Sequence, residues 1–384
     1  MPAYDVLIVG LGAAGSAAAY ELARRGLRVA GFDRWAPPHA LGSTHGRTRI
    51  IREAYFEHPL YVPLIRRAYA LWAELEREAG RALFRQAGGL MIGPPDGVLV
   101  VGARRSAVEH GIPHELLSAA DVRRRFPVYD PPDESVALLE PRAGVLFPEA
   151  CVETFLELAR RRGAELHADE PVVEWEADGA GVTVTTARGT YRAGRLVLTA
   201  GPWMPELVPE LAPALTVERQ HFHWFEPTSD RREFAPDRCP VALWEFDRDR
   251  LFATFPDLGD GVKCGTHHEG EFTAPDAVHR EVRDDETATE RARLAALMPR
   301  AAGPLLDRRV CLYTNTPDHH FLVDTHPAYP QVVLGSPCSG HGFKFASAVG
   351  ELLAQLATGE PIAFDLAPFG VARLQSALVN NAPR

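Results

Sequence analysis

The chain has 384 residues, of which 46% are hydrophobic and 24% charged, and its 41 basic and 51 acidic residues give a formal charge of −10. This length suffices for two domains with sizeable cores, and the composition is that of a globular protein. An acidic balance without a long run of Lys or Arg argues against a nucleic-acid partner, because neutralising phosphates requires a concentrated basic surface.

Other gross features predict a protein of the cytoplasm. No apolar stretch approaches the ~20 residues that a membrane span needs, so we expect no membrane partner. Residues 1–5 show neither the basic region nor the cleavage site of a secretory signal. The five cysteines are widely spaced and odd in number, which is typical of reduced thiols. The histidine pairs at 267–268 and 319–320 lack a third ligand at suitable spacing, so we expect no metal site.

The chain opens with the pattern of a βαβ unit. Residues 6–9 form a short apolar run suited to a buried parallel strand, and a small-residue helix continues from the next turn to Arg25. A second strand, residues 27–32, ends at Asp33, where a carboxylate can accept hydrogen bonds from a ribose. The helix N-terminus offers free N–H groups and a positive dipole end to phosphates.

The turn between this strand and helix carries a dinucleotide fingerprint. Gly10, Gly12 and Gly15 fit the pattern G-x-G-x-x-G. The first glycine allows the tight turn, the second lets the backbone approach a pyrophosphate, and the third permits close helix packing. The pattern itself does not separate FAD from NAD. Its place at the extreme N-terminus, in a chain whose α/β texture returns twice later, favours FAD.

The later elements predict two interleaved domains. An amphipathic helix around residues 64–75 is followed, from about residue 86, by short strands and Pro-rich turns. The α/β texture returns with a helix at 152–162 and a strand at 195–198, and again with a strand at 331–334 before a glycine loop and a helix at 343–357. We expect an α/β fold in which a doubly wound, Rossmann-type FAD-binding domain is interleaved with a mixed-sheet substrate domain. The predicted boundaries are 1–85, 148–216 and 322–360 for the former, and 86–147, 217–321 and 361–384 for the latter.

Only two of the 41 basic residues are lysines, Lys263 and Lys344. An ammonium is compact and its pKa responds to its surroundings, whereas a guanidinium is planar and permanently charged. Lys263 lies in a strand-like apolar run, where a charge is costly without a purpose. Lys344 opens the helix that follows the glycine loop. These contexts favour functional roles over the alternative that both lysines are chance surface residues.

Four segments together resemble the family of monomeric sarcosine oxidase and N-methyltryptophan oxidase, and the likeness extends to about residue 360. The segments are 42–52 (GSTHGRTRIIR), 263–267 (KCGTH), 311–314 (CLYT) and 339–345 (SGHGFKF). The resemblance implies a monomer that contains FAD covalently bound through the sulfur of Cys311. A thiolate is a suitable nucleophile for the activated flavin methyl group; the alternative is an inert buried cysteine.

The resemblance also implies roles for the residues of these segments. Arg52 and Lys344 would bind the substrate carboxylate, for which an Arg fork is well suited. Lys263 would lie near flavin N5 and promote the reaction with oxygen. Arg49, His267, Tyr313 and Thr314 complete the predicted catalytic set. The residues expected to contact the cofactor are Gly10, Gly12, Gly15, Asp33, Ser43, Thr44, Arg49, Val173, Gly201, Cys311, Gly340, Gly342, Phe343 and Lys344.

Two departures from the family pattern concern the substrate. Sarcosine-preferring members carry a tyrosine between the central strands, whereas this chain reads Leu-Phe-Ala-Thr at residues 251–254. Cys338 stands where such members commonly have a bulkier side chain. Both changes predict a roomier or more apolar substrate pocket.

The predicted function is oxidation of an N-methyl amino acid such as sarcosine or N-methyltryptophan. Hydride would pass to flavin N5, oxygen would be reduced to hydrogen peroxide, and the imine would be hydrolysed to an amino acid and an aldehyde. The alternatives are a related FAD-dependent enzyme (a deaminating oxidase, a fructosyl-amine oxidase or a dehydrogenase), an NAD-dependent dehydrogenase, and a flavin-binding module without catalysis.

Overall fold

The computed structural model describes residues 3–179 and 181–374. These residues form two large β-sheets, one small sheet and eight α-helices. The strands are β1 (Tyr4–Val9), β2 (Val29–Phe32), β3 (Arg49–Ile51), β4 (Phe84–Gln86), β5 (Gly89–Gly93), β6 (Glu115–Ser118), β7 (Val136–Glu140), β8 (Gly144–Leu146), β9 (Glu165–His167), β10 (Val172–Asp178), β11 (Gly181–Thr186), β12 (Gly189–Leu198), β13 (Thr216–Phe225), β14 (Val241–Asp247), β15 (Arg250–Phe255), β16 (Val262–His267), β17 (Glu271–Thr273), β18 (Leu305–Asn315), β19 (Leu322–Thr325) and β20 (Val332–Ser336). The helices are α1 (Ala13–Arg24), α2 (Tyr61–Ala79), α3 (Val98–Glu109), α4 (Ala119–Arg125), α5 (Pro148–Arg161), α6 (Met204–Leu207), α7 (Asp284–Leu297) and α8 (Ala346–Thr358).

The first sheet has a parallel centre. β1 lies between β12 and β2, with β9 beside β2 and β20 beside β12, all parallel. The antiparallel hairpin β10–β11 extends the sheet beyond β12, and β19 pairs with β20. Helices α1, α5 and α8 pack together over this sheet. β1 and β12 end in runs of buried apolar residues, as expected for strands covered on both faces. The carboxyl ends of the parallel strands meet at one edge, where ligands bind in folds of this kind.

The second sheet is mixed. Its strands follow the order β17-β13-β16-β15-β14-β5-β7-β6, and β18 also pairs with β13. β16, which contains Lys263, lies between β13 and β15. Leu251 and Ala253 of β15 are register partners of His267 and Gly265 of β16. The third sheet has the order β3-β8-β4, and its strands come from two places where the chain passes between the large sheets.

The α/β class with two interleaved sheets is confirmed. The exact domain boundaries stay a prediction, which the distribution of strands supports: the parallel sheet uses strands from 4–32, 165–198 and 322–336. The small sheet joins segments of both predicted domains, because β3 (within 1–85) pairs with β8 (within 86–147). Residues 375–384, assigned to the substrate domain, lie outside the described residues, as do residues 1 and 2.

Candidate active site

A cavity of about 330 Å³ extends from the carboxyl edge of the parallel sheet to the mixed sheet. Gly10 and Asp33 line its first end, and Lys263 and His267 line its other end. The volume lies within the range of cofactor and ligand pockets. The sequence-predicted residues of the N-terminal and the C-terminal half of the chain are therefore brought to one cavity.

The glycine fingerprint forms the turn at the first end of this cavity. Gly10 has φ +90°, and a Cβ on it would lie 2.4 Å from the main-chain oxygen of Thr199. A Cβ on Gly15 would lie 1.8 Å from the oxygen of Gly10. Gly10 and Gly12 line the cavity, whereas Gly15 does not. The role of Gly15 is to let α1 pack closely against the glycine turn.

The surroundings of this turn fit a dinucleotide. Asp33 accepts hydrogen bonds from the backbone N–H groups of Leu11 (2.7 Å) and Trp35 (3.0 Å) and lines the cavity. α1 has no side-chain cap at its N-cap residue and no acidic residue in its first turn. The N–H of Ala13 donates to the Thr44 hydroxyl at 3.3 Å, and the positive end of the helix is otherwise open to an anion. The hydroxyl of Ser43, which also lines the cavity, is buried without a partner. A buried polar atom left without a partner at this position favours a polar ligand.

Lys263 is enclosed by rings and main-chain oxygens. Its Nζ donates to the main-chain oxygens of Gly46 and Thr48, both at 2.8 Å. It also lies 4.5 Å from the ring centroids of Phe222 and Phe255. Burial, together with the positive charge of Arg49, lowers the pKa of Lys263 well below its usual range, while the ring faces and oxygens favour the ammonium form. An anionic ligand in the cavity would stabilise this charge.

Arg49 and Cys311 lie next to each other. The Arg49 Nη2 is 3.5 Å from the Cys311 Sγ and donates to the main-chain oxygen of Ser43 at 3.1 Å. Burial raises the pKa of the Cys311 thiol, and the Arg49 guanidinium opposes this shift. Both residues line the cavity. The neighbouring cation thus favours the thiolate that a covalent attachment would need.

Arg52 and Lys344 form a second cationic group in the cavity. Arg52 donates to the Glu57 carboxylate at 2.7 and 2.9 Å, and its Nε is buried without a partner. The Lys344 Nζ donates to the main-chain oxygen of His341 at 2.7 Å. Burial and the nearby Arg52 charge lower the pKa of Lys344 to about 7. Two buried cations, countered by one carboxylate, suit a carboxylate-bearing ligand.

His267 also lines the cavity. Its Nδ1 is 3.1 Å from the hydroxyl of Tyr313. Burial, followed by the neighbouring His268 and His341, lowers the pKa of His267 well below its usual range, so the imidazole is neutral near pH 7. A neutral ring in this cavity can accept or donate a hydrogen bond without adding charge.

The structure brings most of the remaining predicted residues to this cavity. Those that line it are Thr44, Gly201, Gly340, Gly342 and Phe343. Thr314 does not line it: its side chain points into the interior and its hydroxyl is buried without a partner.

Val173 needs a correction. Its side chain is 69% exposed and does not line the cavity, whereas Pro171 and Val172 do. The pairing of β10 with β11 is irregular between Val172 and Glu174. This irregularity shifts the inward-facing position by one residue.

Sequence reasoning missed several contributors. Phe56 and Glu57 line the cavity close to Arg52, and Tyr55 hydrogen-bonds to His341 at 2.6 Å. The spacing of Glu57, five residues after Arg52, could have suggested an ion pair. The two residues do not lie on one helix or strand, however, so no regular geometry predicts their contact. Within the described ranges, no group of three or more His, Cys, Asp or Glu side chains is placed to hold a metal ion. No described helix has both the length and the apolar character of a membrane span.

Comparisons with known proteins agree with this geometry. The family described as FAD dependent oxidoreductase matches residues 5–356. The monomeric sarcosine oxidase of Streptomyces avermitilis is 42% identical over 380 residues, which cover 98% of this chain and 99% of that protein. The N-methyl-L-tryptophan oxidase of Yersinia pestis (strain Pestoides F) is 36% identical over 373 residues, 97% of this chain and 100% of that one. Among solved structures, the open form of NikD, an unusual amino acid oxidase essential for nikkomycin biosynthesis, has a TM-score of 0.83 and 26% identity over 96% of this chain and 97% of that chain.

Proposed function

The chain belongs to the FAD dependent oxidoreductase family, and we propose that it is an FAD-dependent oxidase of N-methyl amino acids. The observation that carries the proposal is a single cavity with a dinucleotide cradle at one end and two groups of buried cations at the other. Relatives that share 36–42% of its residues are named for oxidation of sarcosine and N-methyl-L-tryptophan.

Bound FAD would supply the redox chemistry, namely oxidation of the substrate C–H bond next to nitrogen and reduction of oxygen to hydrogen peroxide. The chain's own groups account for its binding. The glycine turn and the free end of α1 receive the pyrophosphate, and Asp33 accepts the ribose hydroxyls. The adjacent Arg49 and Cys311 support a covalent thioether to the flavin.

Arg52 and Lys344 bind the substrate carboxylate in this proposal. Both are buried, and each has only part of its hydrogen-bonding capacity satisfied by the protein. Glu57 orients Arg52, and the guanidinium in turn lowers the pKa of that carboxyl against the opposing effect of burial, so that the pair is ionised. Binding of its carboxylate holds the substrate in one orientation, so its N-methyl group always takes the same position in the cavity.

The wall of the cavity on β14 and β15 favours an N-methyl amino acid with an apolar side chain. Leu243, Leu251 and Ala253 line this wall, and Phe56 lines the cavity as well. None of the four carries a hydroxyl or a charge. The small side chain of Ala253 leaves room that a larger substrate side chain can fill.

Lys263 promotes the reaction with oxygen in this proposal. Its ammonium is held by Gly46 and Thr48, so it does not need to reorient while negative charge develops on the oxygen. The expected cytoplasmic location and monomeric state stay predictions.

The proposal is tested with the purified protein and a panel of sarcosine, N-methyltryptophan, other N-methyl amino acids, primary amino acids and fructosyl amines. Peroxide and formaldehyde should form in equal amounts from the N-methyl substrates. Ammonia release from primary amino acids would favour a deaminating oxidase instead. Electron transfer to a quinone without peroxide would favour a dehydrogenase.

A further inference from the structure

The Lys263 ammonium is held by the turn formed by residues 46–48, which is distant in the chain. Three hydrogen bonds leave its Nζ, and all of them end on residues Gly46 and Thr48, including one to the Thr48 hydroxyl at 3.3 Å. The turn 46–48 therefore decides where the ammonium lies.

This turn is strained and needs an external support. Gly46 has φ +104° and Arg47 has φ +66°, so two successive residues are in the left-handed region, which a non-glycine residue seldom adopts. Gly46 also has no room for a side chain, since a Cβ would lie 2.5 Å from the Phe222 ring. Such a conformation persists only where neighbouring groups hold it.

One carboxylate holds both strained residues. Glu149 accepts the backbone N–H of Gly46 at 2.7 Å and the backbone N–H of Arg47 at 3.0 and 3.1 Å. Glu149 belongs to the first turn of α5, about a hundred residues away in the chain. Hydrogen bonds from N–H groups to a carboxylate are stronger than those to neutral acceptors. Glu149 thus ties the backbone of the turn to a helix packed over the parallel sheet, while the Arg47 side chain is held separately by Asp260 at 3.1 Å and Asp307 at 2.6 Å.

We infer that Glu149 is a positioning residue for Lys263: its carboxylate fixes the 46–48 turn, and the turn fixes the ammonium that meets oxygen. The inference rests on the proposed role of Lys263 and adds a residue to it. Glu149 does not itself line the cavity and forms no hydrogen bond with Lys263, so it acts on Lys263 through the turn and through its negative charge, which raises the pKa of Lys263 against the effect of burial.

A measurement without turnover tests the geometry. Because the chain contains only two lysines, labelling the holoenzyme with [13Cε]lysine gives two signals, and the variant Lys263→Met assigns them. The Lys263 signal should carry a ring-current shift, since its Nζ lies 4.5 Å from two ring centroids. In Glu149→Ala this signal should move toward the position of a free lysine side chain, while the Lys344 signal stays in place.

Two further variants make this result specific. Glu149→Gln keeps an acceptor oxygen for the turn and should displace the Lys263 signal in the same direction by a smaller amount. Glu153→Ala serves as the matched control, because Glu153 lies one turn further along α5 and pairs with Arg81 at 2.9 Å. An unmoved Lys263 signal in Glu149→Ala overturns the inference; if that variant does not fold, an unmoved signal in Glu149→Gln overturns it.

Rapid-mixing kinetics separate this inference from the proposed function. In Glu149→Ala, the rate of reoxidation by oxygen should fall about tenfold, with anaerobic reduction by substrate within about twofold of the original rate. In Lys263→Met the reoxidation rate should fall further, and adding Glu149→Ala to that variant should have no additional effect. Fast reoxidation in Lys263→Met refutes the proposed role of Lys263. Slow reoxidation in Lys263→Met together with an unchanged rate in Glu149→Ala refutes only the role of Glu149.

Discussion

The Lys344 ammonium donates a 2.7 Å hydrogen bond to the main-chain oxygen of His341. Among the described residues, no carboxylate lies within ion-pairing distance of Lys344, although the side chain is buried. The positive charge is thus held by a carbonyl dipole and by the ring of Tyr55, whose centroid lies 5.2 Å away. Such a lysine is poised to take an anionic partner.

The first prediction concerns the pH dependence of carboxylate binding. Burial and Arg52 lower the pKa of Lys344 to about 7, so the side chain is charged below that pH and neutral above it. The dissociation constant of an unreactive carboxylate analogue, measured from the flavin absorbance, should therefore rise by up to about tenfold per pH unit above this value. Lys344→Arg remains charged and should lose this dependence. A dissociation constant that stays flat from pH 6 to 9 in the unchanged protein contradicts the role of Lys344.

The second prediction concerns flavin attachment. Cys311→Ser should bind FAD without a covalent bond, because a hydroxyl is a far weaker nucleophile than a thiolate. Acid precipitation should then leave the yellow colour in the supernatant. Cys338→Ser is the matched control, since Cys338 lines the same cavity. In this variant the yellow colour should stay with the pellet. Colour retained in the pellet of Cys311→Ser would exclude attachment at this residue.

The third prediction concerns the glycine turn. In Gly15→Ala, the new Cβ would lie 1.8 Å from the main-chain oxygen of Gly10, so helix and turn must move apart. The free energy of unfolding should fall by about 1–3 kcal/mol, and the flavin content should fall with it. In Gly189→Ala nothing lies within 4 Å of the new Cβ, and both quantities should stay close to their original values. Denaturant unfolding and the flavin-to-protein absorbance ratio measure them.

The fourth prediction concerns substrate size. Ala253→Phe fills part of the wall that Ala253 and Leu251 form on β15. The value of kcat/KM for N-methyltryptophan should fall about tenfold or more, with a much smaller change for sarcosine, since only the larger substrate needs this space. Equal losses for both substrates would show that the wall does not contact the substrate side chain.

The sequence predicted the parts of the site that depend on local pattern. The glycine fingerprint between a strand and a helix, with Asp33 at the end of the second strand, has a spacing that the backbone alone imposes, and the structure has β1, α1 and β2 at these places. The two lysines were singled out by the scarcity of their residue type, and both line the cavity. Helix ends differ by a few residues, as for α5, which begins at Pro148 instead of residue 152.

The parts that depend on tertiary contacts were not predictable in this way. Glu57 and Glu149 carry no local pattern that distinguishes them from surface acids, and their roles arise from Arg52 and from the 46–48 turn. Val173 was chosen one residue too far along the chain, because strand alternation cannot reveal an irregular pairing. The inward direction of Thr314 likewise follows from the register of β18 on β13.

The strand order of the parallel sheet bears on how the protein acquires its cofactor during synthesis. β20 joins β12 only after residues 332–336 have been made, and the glycine turn at the N-terminus packs against Thr199. Gly335, Ser336 and Lys344 line the same cavity as the glycine turn, so a ribosome-bound chain cannot complete this cavity before residue 344 has left the exit tunnel. We expect a chain truncated before β20 to bind flavin poorly, because it would lack this wall of the cavity.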